Sequence, residues 1–512
     1  MKTLYYYLLF VLLIKKRFKP LSNKKNIILV ESFQFKPSLM AFSLFALSLS
    51  KIFDAKVIPY EPNYSFSLKK KIKNIFLNII FPFNLSNVYK VIFNSNKIIN
   101  PKRGLKIAEV DKIFYSVINK IKNKKDLLNL KIKNILVGDL FYDDYLRTLD
   151  VATIDINDKK FKVKIYQYIS VFLFWYDVIK KKEIKALISS HNVYLIGLPS
   201  RIAIYLKKPT YSLRITDSVY LTKKNPRAFG GFMFYPKIFN KLKNKERVNA
   251  IKNSKKQLFF RFRGGNDELY KKNQENDTSV FLDKKIYINK QKTKKKYLKI
   301  LIAAHCFTDA PHAYGKSIFC DFYDWIDFLG QQSNLFNYKW YIKIHPADYD
   351  RNLSKFKYFL EKYPKFQLLN KKTTHNELIK KGIDAVLTMY GSIAHEYPLF
   401  NIPVINASIN PHMAYDFSIT PKTLAEYKNI INSLPKIKVK KNYQKQIYEF
   451  YYCNFLSDNT PFRAILNGNQ NKNSFSIFKN FYEKKLNLNI DEIVQSYAKF
   501  IKSKKMRFLA TK

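Results

Sequence analysis

Apolar and polar positions along this chain follow two periods in turn. Asn26 to Val30 (NIILV) is a continuous apolar run of strand length, Ser38 to Lys51 carries apolar residues at helical spacing, and Ala55 to Ile58 is a second short run. Together they predict a strand–helix–strand opening. Ile132 to Val137 ends in Gly138 and Asp139, and Ala186 to Ile188 runs into Ser189, Ser190 and His191. Both segments predict parallel strands with polar residues at their carboxyl ends, where open α/β sheets bind ligands. From Leu298 the alternation is clearest. Strands are expected over 298–304, 339–344, 366–369, 383–389 and 404–406, with helices over 317–329, 352–362, 375–381 and 392–400 between them. Short strands separated by helices give a parallel sheet covered on both faces.

The pattern therefore predicts an α/β chain with two Rossmann-like domains, over 23–235 and 298–435. A basic interdomain connection is placed at 236–297, because Asn266 to Thr278 is polar and Lys284 to Lys299 holds eight lysines. A helical tail over 436–512 is expected to pack back across the first domain. At the start, Leu4 to Ile14 (LYYYLLFVLLI) is an unbroken apolar run followed by Lys15, Lys16, Arg17 and Lys19. As a helix it spans about 17 Å against a hydrocarbon core of about 30 Å, so it is too short to cross a bilayer. With no small-residue cleavage site it does not read as a cleaved signal. The expectation is a membrane-surface anchor over 1–22 with its basic flank on anionic headgroups; the alternative is a short helix buried against the protein itself.

Composition changes this picture in one respect. The 512 residues include 92 Lys+Arg against 38 Asp+Glu, a net charge of +54, yet 47% are hydrophobic, which excludes a disordered polycation. Lys, Asn, Ile, Tyr and Phe are abundant together, a compositional bias that places much of the lysine on solvated faces. The remainder suits anionic lipid or a phosphorylated substrate. No nucleic-acid partner is expected, since no recognition motif accompanies the charge. The three cysteines show no C-x-x-C spacing, which excludes a zinc ribbon and fits a reducing compartment.

Six of the seven histidines, His305, His312, His345, His375, His395 and His412, fall within residues 305–412. His305, His312, His345 and His412 are expected in loops after strands, while His375 and His395 lie on expected helices and read as structural. In Lys343-Ile-His345-Pro346 the proline stops a strand and leaves His345 at its edge, able to donate to a phosphate oxygen. In Thr388-Met-Tyr390-Gly391-Ser392-Ile-Ala-His-Glu396 a strand turns at Gly391 into a helix. Ser392 would sit at the helix amino end facing an anion, with Glu396 one turn on, placed for a ribose hydroxyl pair. The loop 303–317 includes His305, His312 and Gly315 and contains Ala310-x-x-x-x-Gly315-Lys316-Ser317, a permissive P-loop match with one glycine and a proline. Arg261-Phe-Arg263-Gly264-Gly265 is a further phosphate candidate, more readily a surface loop. No metal site is expected. In the first domain Glu31, Asp139, Asp143, Asp144 and His191 follow expected strands and are the candidates for a catalytic base, with Asp139 or His191 preferred.

The segments HCFTDAPHAYG, KIHP, GIDAVLTMYGSIAHEYP and PVINAS, with VESFQFKPS, VGDLFYDDYLR and SHNVYLIGLPSRIA upstream, resemble the bacterial capsular- and surface-polysaccharide glycosyltransferases of GT-B architecture, across about residues 26–430. The resemblance implies two domains facing a cleft. It also implies that His345, Ser392 and Glu396 bind the nucleotide and phosphate of an activated sugar, and it leaves the base unassigned. The activity expected on this resemblance is a nucleotide-sugar-dependent transfer that needs no metal, because helix ends and basic side chains can stabilise the leaving phosphate. The nucleotide sugar is then the substrate, and no cofactor is expected. The acceptor would be a glycan or lipid-linked glycan of capsule or lipopolysaccharide type, handled at the cytoplasmic face of the inner membrane. The alternatives are a nucleotide-sugar epimerase of the same fold and a non-catalytic component of a polysaccharide assembly or export complex.

Overall fold

A computed structural model describes residues 2–18, 25–62, 84–101, 107–214, 218–227, 230–263, 297–345, 349–440, 443–457, 476–483 and 490–505. The chain is mixed α/β and divides into two compact units: residues 1–144, 155–228 and 458–512, and residues 145–154 and 229–457.

The first unit is built on a five-stranded sheet of order β2-β1-β5-β6-β7, from β1 (Asn26–Glu31), β2 (Ala55–Tyr60), β5 (Ile184–Ser189), β6 (Thr210–Leu213) and β7 (Ser218–Leu221). All neighbours are parallel except the β6–β7 pair at the edge. Strand order reverses between β1 and β5. Helix α1 (Lys2–Arg17) and α2 (Ser38–Phe53) share a core with the sheet, and α2 buries an unbroken run from Ser38 to Leu49. Two helices from the far end of the chain, Ser476–Glu483 and Ile490–Ser503, enter that same core. Tyr497 meets Phe45 edge-on at 4.9 Å, Phe478 meets Tyr7 at 4.9 Å, and Ser48 Oγ donates to the Val494 carbonyl at 2.9 Å.

In the apolar run at the start Tyr7, Phe10, Val11 and Ile14 are buried in the core, because the terminal helices offer that face an apolar partner. Two expectations are corrected here. Ile132 to Val137 is not a strand of the sheet. Lys133 and Asn134 both take positive φ (49° and 63°) and turn the chain into a two-residue hairpin, β3 (Lys131–Ile132) against β4 (Ile135–Leu136). Asp139 therefore lies in the first turn of α3 (Gly138–Leu149), not at a sheet edge. Gly138 is required there, since a Cβ would come within 1.8 Å of the Leu127 carbonyl oxygen. The expected tail over 436–512 is divided between the units, its 443–457 part belonging with the second.

The second unit holds a fully parallel sheet of order β10-β9-β8-β11-β12, from β8 (Lys299–Ala304), β9 (Lys339–Ile344), β10 (Phe366–Leu368), β11 (Ala385–Thr388) and β12 (Val404–Asn406). Here the order reverses between β8 and β11. One face is filled by Trp325, Trp340, Phe356 and Phe359, the other by Leu378, Tyr397, Phe400 and Phe450. Of the stretch 236–297 expected to connect the domains, residues up to 263 are a structured part of this unit. Helix α4 (Asn244–Phe262) buries Leu258 and Phe262 in its core, where the helical spacing of those two apolar residues in a Lys-rich segment is the only sequence trace. Residues 264–296 lie outside the described residues.

Because Tyr497 fills a core made from both ends of the chain, Tyr497→Ala should lower the unfolding free energy by about 3 to 4 kcal/mol in urea denaturation followed by circular dichroism. Tyr115→Ala, at an exposed position of the same unit, should stay within about 0.5 kcal/mol.

Candidate functional site

In open α/β sheets the loops after two strands that run to opposite sides leave a crevice at the point of reversal. Each unit places expected site residues at that point.

In the first unit the register pairs Val30 with Ile188, so Glu31 at the end of β1 lies beside the chain leaving β5. Its carboxylate is 3% exposed and accepts two hydrogen bonds from Ser190, from the backbone N–H (2.7 Å) and from Oγ (2.7 Å). Burial pushes the Glu31 carboxyl up to about 7 even though both hydrogen bonds oppose the shift. Ser190 Oγ lies 3.3 Å from His191 Nδ1. When Ser190 gives its own proton to Glu31 its oxygen is left to accept from Nδ1–H, the tautomer in which Nε2 carries no proton. The ring lies 5.5 Å from that of Phe33, and burial together with the Arg214 charge lowers its pKa. Two expected bases, Glu31 and His191, are thus joined through Ser190, which sequence reasoning passed over; its trace was the Ser-Ser-His step at the end of an apolar strand.

Asp139 is not a base. It is 5% exposed and held in a bidentate pair by Arg201 (3.0 and 2.9 Å), with Arg227 2.7 Å from Oδ2. Arg201 itself is 2% exposed. A carboxylate spent on two guanidinium groups has neither the basicity nor the access to take a proton. Asp144 likewise accepts from the Leu195 N–H at 3.2 Å, and Asp143 is 1% exposed.

In the second unit the β8–β11 register, Ile302 with Leu387, sets His305 beside Tyr390. His305 Nε2 lies 3.1 Å from Thr388 Oγ1, and its ring stacks on Phe322 (5.0 Å, 11°) and against Tyr390 (4.5 Å). Burial in this aromatic setting lowers His305 to about 4, so the ring is neutral at physiological pH. Tyr390 OH donates to the Ala310 carbonyl at 3.0 Å and ties the two loops together. Gly391 N–H donates to Thr388 Oγ1 (3.3 Å), and a Cβ there would approach that oxygen to 2.9 Å. His345 is exposed at the end of β9, near enough that its charge bears on both His305 and His375. Pro346 lies outside the described residues.

Several expectations for this unit are corrected. Glu396 is buried and its Oε1 accepts from Arg261 Nε at 2.9 Å, whereas Ser392 is exposed. The helix they share, Ile393–Glu396, is one turn long before it tightens into a 3₁₀ turn at Tyr397–Phe400, and its dipole is correspondingly small. His345, Ser392 and Glu396 thus do not form one constellation. Lys343 is 5% exposed and donates to the Thr373 carbonyl at 2.6 Å; burial lowers it to about 8. The 310–317 segment is no P-loop. Gly315 takes φ +141° against Ile409, Ser317 bridges to Ser408, and the next helix starts only at Phe322. His312 and His412 are buried, and His412 Nε2 lies 3.1 Å from His395 Nδ1. His375 Nδ1 lies 2.7 Å from Tyr397 OH, a structural placement. Among the described residues no group of three or more His, Cys, Asp or Glu is placed to hold a metal ion.

No family model and no curated protein matches the chain. Among solved structures it is similar to a KpsC β-Kdo 2,4-transferase of Thermosulfurimonas dismutans, at 10% identity and TM-score 0.32 over 53% of this chain and 80% of that one. It is also similar to a glycosyltransferase of Rickettsia africae (8%, TM-score 0.25, 94% and 99%). A third is a UDP-GlcNAc 2-epimerase of Neisseria meningitidis bound to UDP-GlcNAc (12%, TM-score 0.21, 83% and 95%). All three likenesses are distant.

The electrostatics of the first unit can be tested through its stability. Between pH 4.5 and about 7 the folded chain keeps a proton on Glu31 that the unfolded chain releases, so stability falls as pH rises through that window, by roughly 3 kcal/mol in all. Glu31→Gln should remove this slope, so that thermal melts of the variant gain on wild type from pH 5 to pH 8. Asp139→Asn strands two guanidinium groups and should cost about 3 to 5 kcal/mol in chemical denaturation, whereas His191→Gln, at a half-buried position, should cost under about 1 kcal/mol.

Proposed function

We propose that the chain is a nucleotide-sugar-dependent glycosyltransferase of GT-B type acting on a surface-polysaccharide acceptor. The observation that carries this reading is the hydrogen-bonded series Glu31–Ser190–His191 at the strand reversal of the first unit. His191 Nε2 takes the proton of an acceptor hydroxyl as that oxygen bonds to the anomeric carbon. The bond from that carbon to the diphosphate oxygen breaks, the nucleoside diphosphate leaving with the electron pair. Ser190 holds the ring, and the Glu31 carboxylate stabilises the imidazolium that forms, through the intervening hydroxyl. In this reading the donor binds at the reversal of the second sheet. Ser392 brings its hydroxyl to the diphosphate, Gly391 leaves the approach free of a side chain, the His305–Tyr390–Phe322 stack offers an aromatic wall, and His345 adds an imidazole N–H donor. The sugar nucleotide is the substrate, and the acceptor is a glycan or lipid-linked glycan.

Purified chain incubated with a panel of labelled nucleotide sugars, with and without glycan acceptors, tests this. Acceptor-dependent release of nucleotide is expected, and His191→Ala should slow it by about 10² to 10⁴ while leaving donor binding intact. Gly391→Val, which forces a side chain onto Thr388, should abolish the thermal shift produced by the donor. Epimerisation without acceptor would assign the epimerase activity instead. No binding of any nucleotide sugar would make the chain a non-catalytic component.

A further inference from the structure

Helix α1 is apolar all round, and the fold uses one side of it. At 100° per residue Tyr7, Phe10, Val11 and Ile14 share the face sunk into the core of the first unit. The opposite face presents Tyr5, Leu9 and Leu12 and ends on Lys15 and Lys16. Tyr5 is 61% exposed and Leu12 54%, Leu9 is half-buried, and both lysines are exposed. Spacing of four, three and four residues lines Tyr5, Leu9, Leu12 and Lys16 along one strip about 17 Å long. A soluble helix with one buried face ordinarily turns a polar face to water; this one turns tyrosine and leucine.

We propose that this outward strip seats the protein on an anionic phospholipid surface. Tyr5, Leu9 and Leu12 enter the boundary between headgroups and acyl chains, and Lys15 and Lys16 lie on lipid phosphates. Charge selects this occupant over a second copy of the chain: a body of net charge +54 repels its like and is drawn to a negative surface. The helix lies along the surface, since no described helix is long and apolar enough to cross a membrane. Its inner face is already fixed by Phe478 (4.9 Å from Tyr7 and 5.3 Å from Phe10) and by the pairing of Arg17 with Asp491 at 2.5 Å. Docking therefore costs no ordering of the helix, unlike a free amphipathic segment that folds on contact.

Flotation of the full chain with vesicles tests the proposal without reference to catalysis. Wild type should float with phosphatidylcholine–phosphatidylglycerol vesicles, float poorly with phosphatidylcholine alone, and be released by salt. Tyr5→Ser with Leu12→Asp should weaken partitioning at least about tenfold, and Lys15→Gln with Lys16→Gln roughly fivefold for each cation removed. All four positions lie outside the core, so the melting temperature should be unchanged in both variants. Equal flotation of wild type and the Tyr5/Leu12 variant would overturn the proposal. So would an absence of vesicle binding accompanied by a dimer in light scattering that the Leu12 substitution dissolves, which would give the strip to a second copy.

Discussion

The parallel pairing of strands that run outward in two directions from a shared starting point constrains everything else in this protein. In one sheet the reversal falls between β1 and β5, in the other between β8 and β11. Crossovers on either side lead away from each reversal, so the loops there meet across a gap in which polar side chains from distant segments can face one another. Glu31, Ser190 and His191 are brought together in that way, although 159 positions separate the first two. His305 and Thr388 are likewise joined across 83 positions.

What each carboxylate does is then decided by its neighbours. Glu31, Asp139 and Glu396 are all nearly excluded from water. Asp139 faces two arginines and is a structural anion; Glu396 faces Arg261 and ties α4 to the sheet's covering layer. Glu31 accepts from neutral Ser190 instead of a cation, so desolvation dominates and its proton is held into the physiological range. The same chemical group makes two arginine-bound ion pairs and one site whose proton affinity is raised by burial. The histidines divide in the same manner: His395 and His412 satisfy each other in an aromatic layer, while His191 and His345 stand at strand ends.

Much of this was legible in the sequence and the failures have a common cause. Strands over 339–344 and 404–406 and the helix beginning at Ser38 follow from apolar periodicity, because burial on a sheet face or helix stripe is a local requirement written into consecutive residues. The class of side chain at the reversal points followed too, since Glu31, His191, His305 and Tyr390 end apolar runs. Periodicity also misled. Ile132 to Val137 has the composition of a strand, but two successive residues at positive φ fold it on itself. Only the tertiary structure decided which polar groups were neutralised, which face of α1 was consumed, and that Ser190 links two candidate bases. Those outcomes depend on which distant segment arrives opposite a given side chain: Arg201 and Arg227 for Asp139, Arg261 for Glu396, the terminal helices for α1. Burial patterns are short-range information, whereas charge pairing and desolvation are settled by partners far along the chain.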